Sequence, residues 1–312
     1  MSVLVLGGYG AVGAHLVRLL RADGIAVLAA GRDAARADRV VDLSTMDGFA
    51  TALAGVSMVV NCSGFEDVRL AAECAQRGLP FVEISATSGY VQALERVEGP
   101  IVLGVGLAPG LTTLLAVDAL ASGAGPVDIM IGLGSGEHHG PAATAWTYRL
   151  MGQHFPDPDG TGIRNFTRPT YFTIPEEAEY KPFPALRADF ADQHRLTREF
   201  AFPVRTYLRL DSRLATAGLA GLTWAPALRA LAPQRMPGSD RWVVLARTAT
   251  GSTLWATGRG QSLATAAVAA PTGGELTRRR MTTPAWVHEL MELDKLRALL
   301  SSSVSICGVS AA

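Results

Sequence analysis

Through residues 1–121 short apolar runs alternate with stretches that mix apolar and polar positions. The runs at 3–6, 25–30, 40–43, 56–61, 81–84 and 101–105 have the length of buried strands. Helical spacing fills 12–21 and 67–77. Apolar strands that alternate with helices predict a parallel sheet with right-handed crossovers, a doubly wound α/β unit. The pattern changes at Ser122-Gly123-Ala124-Gly125-Pro126, a turn or linker signal. A strand is expected at 127–133 and a helix within 137–151, with short strands and loops over 153–203. Residues 211–232 read as one or two helices broken at Pro226. Residues 242–248 and 252–258 read as a strand pair turning near Gly251. A helix over 261–270 should stop before Pro271, and an amphipathic helix should run over 284–300 through Trp286, Leu290, Leu293 and Leu296. The expected organisation is a first domain at 1–121 and a second, α/β or α+β substrate and pairing domain at 122–283. The segment 284–312 is expected to return to the first.

The first turn carries the chemistry. Gly7-Gly8-Tyr9-Gly10-Ala11-Val12-Gly13 follows an apolar strand and opens a helix, so it holds Gly8-x-Gly10-x-x-Gly13 in the required setting. In such a turn one glycine permits the bend, one lets the backbone approach a pyrophosphate, and one lets helix and strand pack closely. The helix N-terminus then offers N–H groups and a positive dipole end to the phosphates. Tyr9, Ala11 and Val12 share this loop. The second strand ends in Ala30-Gly31-Arg32-Asp33. An acid here holds a ribose 2′-hydroxyl, whereas a guanidinium pairs with a 2′-phosphate. Arg32 therefore favours NADP(H) over NAD(H), with Asp33 as the ribose alternative and Asp42 placed toward the adenine. Cys62, Ser63 and Gly64 after the fourth strand, and Glu83 and Ser85 at the fifth, lie where open α/β sheets bind ligands.

Composition narrows the class without naming it. The 312 residues carry 28 basic and 28 acidic side chains, and 48% are hydrophobic. That balance supplies a core and argues against nucleic-acid or anionic-membrane partners. The three cysteines, Cys62, Cys74 and Cys307, form no Cys-x-x-Cys pair. No disulfide framework or cysteine zinc site is expected, and a reducing cytoplasm fits. No signal segment or membrane-spanning run is read. Glu137-His138-His139-Gly140 supplies imidazoles for proton transfer at neutral pH, and no third ligand spacing accompanies them, so no metal is expected. Arg149, Arg164 and Arg168 are carboxylate-binding candidates, while Trp146 and Tyr148 read as core and Lys181 as a solvated loop residue.

Four motifs occur in order: Val5-Leu6-Gly7-Gly8-Tyr9-Gly10-Ala11-Val12-Gly13, Val59-Val60-Asn61-Cys62-Ser63-Gly64-Phe65-Glu66-Asp67, Phe81-Val82-Glu83-Ile84-Ser85, and Gly106-Leu107-Ala108-Pro109-Gly110-Leu111. Together they resemble the saccharopine dehydrogenase-like oxidoreductases over about residues 1–120. The resemblance implies a Rossmann domain, an α/β substrate domain, often a homodimer, and NAD(P)-linked chemistry at carbon–nitrogen bonds. The expected reaction is reduction of an imine formed from an amine or amino acid and a carbonyl compound, or its reverse. His138 or His139 is the expected proton donor, with Glu83 next. Two other classes share the cofactor domain: a carbon–carbon double-bond reductase and a non-catalytic NADP(H) sensor.

Overall fold

The computed structural model describes residues 2–122, 125–137, 141–174, 182–231, 238–278, 281–300 and 304–310. The chain forms two compact units, one from 1–111 with 262–300, the other from 112–261 with 301–312. These limits differ from the expected ones. The return to the first unit starts at Ser262, and the tail after residue 300 belongs to the second.

The part of the first unit up to residue 103 shows the strand–helix alternation its pattern predicts. Strand β1 (Ser2–Leu6) leads through the glycine turn to α1 (Gly13–Ala22), β2 (Val27–Gly31) and a two-residue β3 (Arg39–Val40). Then come α2 (Phe49–Ala52), β4 (Val56–Asn61), α3 (Val68–Gln76), β5 (Phe81–Glu83), α4 (Ser88–Leu94) and β6 (Ile101–Leu103). All pairings are parallel, in the order β3-β2-β1-β4-β5-β6. This is the Rossmann-type order, and it reverses at β1. Both faces of β1 are dry. Val3 and Val5 pack with Leu16, Val17 and Leu20 of α1, while Leu4 and Leu6 on the other face are also fully buried. That is why the strands read as continuous apolar runs, not as alternating ones.

Helix α5 (Leu111–Ser122) begins at the end of the first unit. The second unit contains β7 (Val127–Leu133), α6 (Pro141–Leu150), β8 (His154–Pro156), β9 (Gly162–Arg164), β10 (Thr167–Thr170) and β11 (Ala185–Arg187). It continues with α7 (Ala191–Phe200), β12 (Val204–Leu210), α8 (Arg213–Leu222), a 3-10 turn (Pro226–Leu231), β13 (Arg241–Thr248) and β14 (Thr253–Arg259). Helix α7 falls where only strands and loops are expected. A mixed sheet runs β10-β11-β12-β7-β13-β14, parallel only between β12 and β7.

Three expectations at the C-terminal end need correction. Helix α9 (Gln261–Arg278) runs through Pro271. Its first half is anchored by buried Ala264, Ala266, Val268 and Ala269, and the Thr272 hydroxyl donates to the Val268 carbonyl at 3.0 Å. Packing here exceeds the cost of the lost backbone bond. The helix expected over 284–300 is instead β15 (Ala285–Trp286), α10 (Val287–Leu290) and α11 (Leu293–Leu299). Ala285 and Trp286 pair in parallel with Val102 and Leu103, extending the first sheet to seven strands. Trp286 is fully buried and its indole N–H donates to Glu95 at 2.9 Å. A free sheet edge overrode a helical spacing of apolar residues. Finally, β16 (Val304–Ser310) pairs antiparallel with β14 and completes a second seven-stranded sheet.

Candidate functional site at the strand ends

The carboxyl ends of β1, β2, β4 and β5 lie along one edge of the first sheet, and the strand order reverses beside β1. Ligands of open α/β sheets bind in the crevice at such a reversal. The glycine loop is locked in place. The N–H groups of Gly7 and Gly8 donate to Ala30 O at 2.9 and 3.2 Å, and Gly10 N–H donates to Gly7 O at 2.8 Å. A Cβ on Gly13 would sit 2.2 Å from Gly7 O, and one on Gly8 would sit 2.7 Å from the Ala29 Cα. Both positions exclude any side chain. A Cβ on Gly10 would meet nothing nearer than Gly7 O at 3.1 Å, and Gly10 is exposed. The loop is therefore closed beneath and open above. No side chain caps α1, whose N-cap is Val12.

Tyr9 fastens this loop to the turn after β2. Its hydroxyl accepts the Asp33 N–H at 2.9 Å, and its ring occupies the space a Gly31 Cβ would need. The Arg36 guanidinium lies 4.4 Å from the Tyr9 ring centroid and donates to Tyr9 O at 3.0 Å. Arg32 is exposed on the same turn. Asp33 Oδ1 accepts Ala35 N–H at 3.0 Å and so closes its own turn, while the residue stays exposed. Asp42 likewise closes its turn, since Ser44 donates to it from hydroxyl and amide at 2.6 and 2.9 Å. Those bonds hold its carboxyl below the usual range, with a smaller contribution from the Arg32 charge. Sequence reasoning missed Arg36; its signal was a second arginine just beyond the β2 end.

The turn after β4 abuts the glycine loop, because a Cβ on Gly7 would lie 2.7 Å from the Ser63 Cα. The Ser63 hydroxyl donates to Asn61 Oδ1 at 2.6 Å and accepts Phe65 N–H at 3.1 Å. Cys62 N–H donates to Leu6 O, and its side chain packs against the core. Burial pushes the Cys62 thiol well up, so it is no nucleophile.

Glu83 is 1% exposed. Its carboxylate accepts Asn61 Nδ2 at 2.8 Å, Ser85 N–H at 2.8 Å and the Tyr90 hydroxyl at 3.0 Å. Burial raises its pKa to about 7 against the pull of these donors. This carboxyl ties the ends of β4 and β5 to α4. Glu66, which sequence reasoning also missed, accepts the Ser85 and Thr87 hydroxyls at 2.8 and 2.5 Å. The loop after β6 is mostly buried, and Leu107 N–H donates to Thr265 Oγ1 at 3.4 Å.

His138, His139 and Lys181 lie outside the described residues. Glu137, beside the histidines, accepts Gln261 N–H at 2.6 Å. Trp146 stands edge-on to Phe190, a core contact. Arg164 donates to Thr223 O at 3.3 Å and lies over the Trp224 ring, while Arg168 is exposed. Among the described residues, no three His, Cys, Asp or Glu side chains are grouped to hold a metal ion, and no helix is long and apolar enough to cross a membrane.

No protein-family model and no curated protein matches the chain. Solved structures that share likeness with it include MoeE5 in complex with UDP-glucuronic acid and NAD, at 26% identity over 28% of this chain and 38% of that one, TM-score 0.24. A second is the 3-alpha-hydroxysteroid dehydrogenase from Pseudomonas sp. B-0831 complexed with NADH, at 26% identity over 39% of this chain and 56% of that one, TM-score 0.20. A third is aspartate semialdehyde dehydrogenase II from Vibrio cholerae, at 11% identity over 79% of this chain and 74% of that one, TM-score 0.37. The first two matches thus span less than two thirds of their partners. These likenesses are too low to carry an argument. The fold class rests on the strand order itself: an α/β chain with a Rossmann-type parallel sheet and a second, mixed sheet.

Proposed function

We propose that this chain is an NAD(P)H-dependent oxidoreductase whose first unit holds the dinucleotide at the reversal point beside β1. The observation that carries the reading is the shape of the glycine loop. Side chains are excluded at Gly8 and Gly13, while the space above Gly10 stays open, next to an uncapped helix N-terminus. That cradle suits a pyrophosphate. Gly8, Gly10 and Gly13 would hold it, with the backbone of Ala11 and Val12 at the helix start. Ser63 and Gly64 would border the nicotinamide half. Exposed Arg32 and Arg36 offer charge to a 2′-phosphate, which favours NADPH over NADH. When bound, the nicotinamide exchanges a hydride with the substrate carbon.

The chain's own residues hold the geometry and move the proton. Glu83 positions the Asn61 side chain and the Ser85 backbone from beneath the site; it is a positioning residue. His138 or His139 supplies the proton at substrate nitrogen. The reaction we favour is imine reduction of the saccharopine dehydrogenase-like kind, on a small substrate built from an amine or amino acid and a carbonyl compound. The support is the motif order and the neutral-pH chemistry of imidazole.

Fluorescence titration of the purified chain with NADPH and NADH tests the first part. NADPH should bind more tightly, and Arg32→Gln should erase much of the difference. Binding of neither nucleotide by cofactor-free protein would sink the reading. Amine–carbonyl pairs are then screened by loss of nicotinamide absorbance, with the amine left out as control. Turnover that persists without amine would point to carbon–carbon reduction. Full turnover in both His138→Ala and His139→Ala would remove the proton assignment.

A further inference from the structure

The second unit contains a cavity of about 480 Å³ between the β10–β11 edge of its sheet and helix α8. That volume lies in the range of small-molecule sites, roughly 300–1,000 Å³. Its walls are apolar and aromatic, with Phe166, Tyr171, Phe183 and Trp224 among them. Tyr171 and Trp224 are 68% and 66% exposed, a large apolar surface left to water. Among the described residues two charged side chains line the cavity, Arg168 and Arg213, and no acid does.

The polar groups of the lining sort themselves. The Thr167 hydroxyl donates to Arg164 O at 2.6 Å, and the Thr216 hydroxyl to Leu210 O at 3.3 Å. Both are spent inside the fold. Arg213 uses one nitrogen on Pro182 O at 3.0 Å and lies 5.7 Å from the Phe183 ring centroid, which leaves the rest of its fork available. Arg168 is exposed, and no hydrogen bond joins it to the described residues. The described acid that feels its charge, Asp159, is already engaged by the hydroxyl and amide of Thr161. Phe166 and Arg168 both hold positive φ, at 59° and 51°. Such strained backbone persists where the surroundings fix it, and it clusters at ligand sites.

An apolar, aromatic chamber whose described charged groups are both cationic favours an amphipathic anion. We propose that the second unit binds a small carboxylate with an apolar body, the chain or ring lying against Phe166, Phe183 and Trp224 and the carboxylate meeting Arg168 and Arg213. This site is distinct from the glycine loop and does not rest on the dinucleotide reading.

The test is calorimetric titration of the full chain with decanoate, decanol and decylamine. Decanoate should bind best and decylamine worst. Arg168→Gln should weaken decanoate about tenfold, the worth of a charge-assisted hydrogen bond, and leave decanol unchanged. Ala220→Trp fills the cavity and should abolish both. Arg168 is exposed, and its side chain makes no hydrogen bond among the described residues, so its variant keeps the question open to measurement if Ala220→Trp fails to fold. Saturating NADPH should leave decanoate affinity unchanged. Equal binding of the three probes, binding of none, or displacement of decanoate by NADPH would each overturn the proposal. Residues 175–181 carry Glu176, Glu177 and Glu179. Neutralisation of the arginines by these acids would show as the first of those outcomes.

Discussion

Gly10 and Gly13 differ by what stands above them. A Cβ at Gly13 would enter the Gly7 carbonyl, whereas one at Gly10 needs a shift of only a few tenths of an ångström. Gly13→Ala should therefore lower stability by about 1–3 kcal/mol, the cost of overpacking. Gly10→Ala should cost less than about 0.5 kcal/mol but weaken the dinucleotide, because it fills the open side of the turn. Chemical denaturation beside an NADPH titration of each variant checks the pair. Glu83 gives a pH signature. Its folded pKa of about 7 lies above its ordinary 4.5, so between those values the folded chain holds a proton that the unfolded chain has released. Its contribution to stability thus falls as pH rises through that window, by an amount on the order of 3 kcal/mol. Glu83→Gln has no such proton. Denaturation of both forms from pH 5 to pH 8 should show any advantage of the native carboxyl shrinking toward neutral pH. A constant gap would show that burial does not raise this group.

At the scale of elements, the short β15 is the informative one. Two residues of strand and one buried indole fasten the segment 285–299 to the edge of the first sheet. Trp286→Ala should cost about 3–5 kcal/mol, the usual loss for a large buried aromatic. Glu95→Ala should cost less, since it removes the acceptor of the indole N–H but keeps the buried ring and leaves that N–H beside the space vacated. Urea unfolding followed by circular dichroism separates the two. Local spacing could not find β15. Trp286, Leu290, Leu293 and Leu296 recur as they would on a helix, and the competing partner, β6, lies far back in the chain. The early elements were legible for the opposite reason. The strands β1, β2, β4, β5 and β6 are mostly buried on both faces, so each reads as a largely apolar run bounded by glycine or polar turns.

At the scale of the whole chain, the two units have separate sheets, and the two candidate sites belong to different units. Ligand binding should therefore protect different amides. Saturating NADPH at about 100 times its dissociation constant adds about 2.7 kcal/mol to the state that binds it. Hydrogen exchange should slow at residues 7–13 and 61–64 with NADPH, and at residues 166–171 and 213–224 with decanoate. Slowing at 166–171 with NADPH alone would mean that the two sites are not independent.

The sequence by itself determined the six consecutive parallel strands of the first sheet and the glycine turn, and it marked candidate cofactor contacts around that turn. These are local facts: apolar runs mark buried strands, and a glycine is required wherever a backbone approaches within a side chain's reach. Only the tertiary structure decided which atoms of those contacts already hold partners within the chain. Asp33 and Asp42 close their own turns, Glu83 is enclosed by three donors, and Arg36 lies over the Tyr9 ring. It also decided the route of the chain after residue 260, where α9 passes through Pro271 and the tail joins the second sheet. The cavity of the second unit could not be read from the chain at all. Its walls come from separated segments, 166–171, 183–186 and 213–224, and a hollow has no periodicity along the sequence.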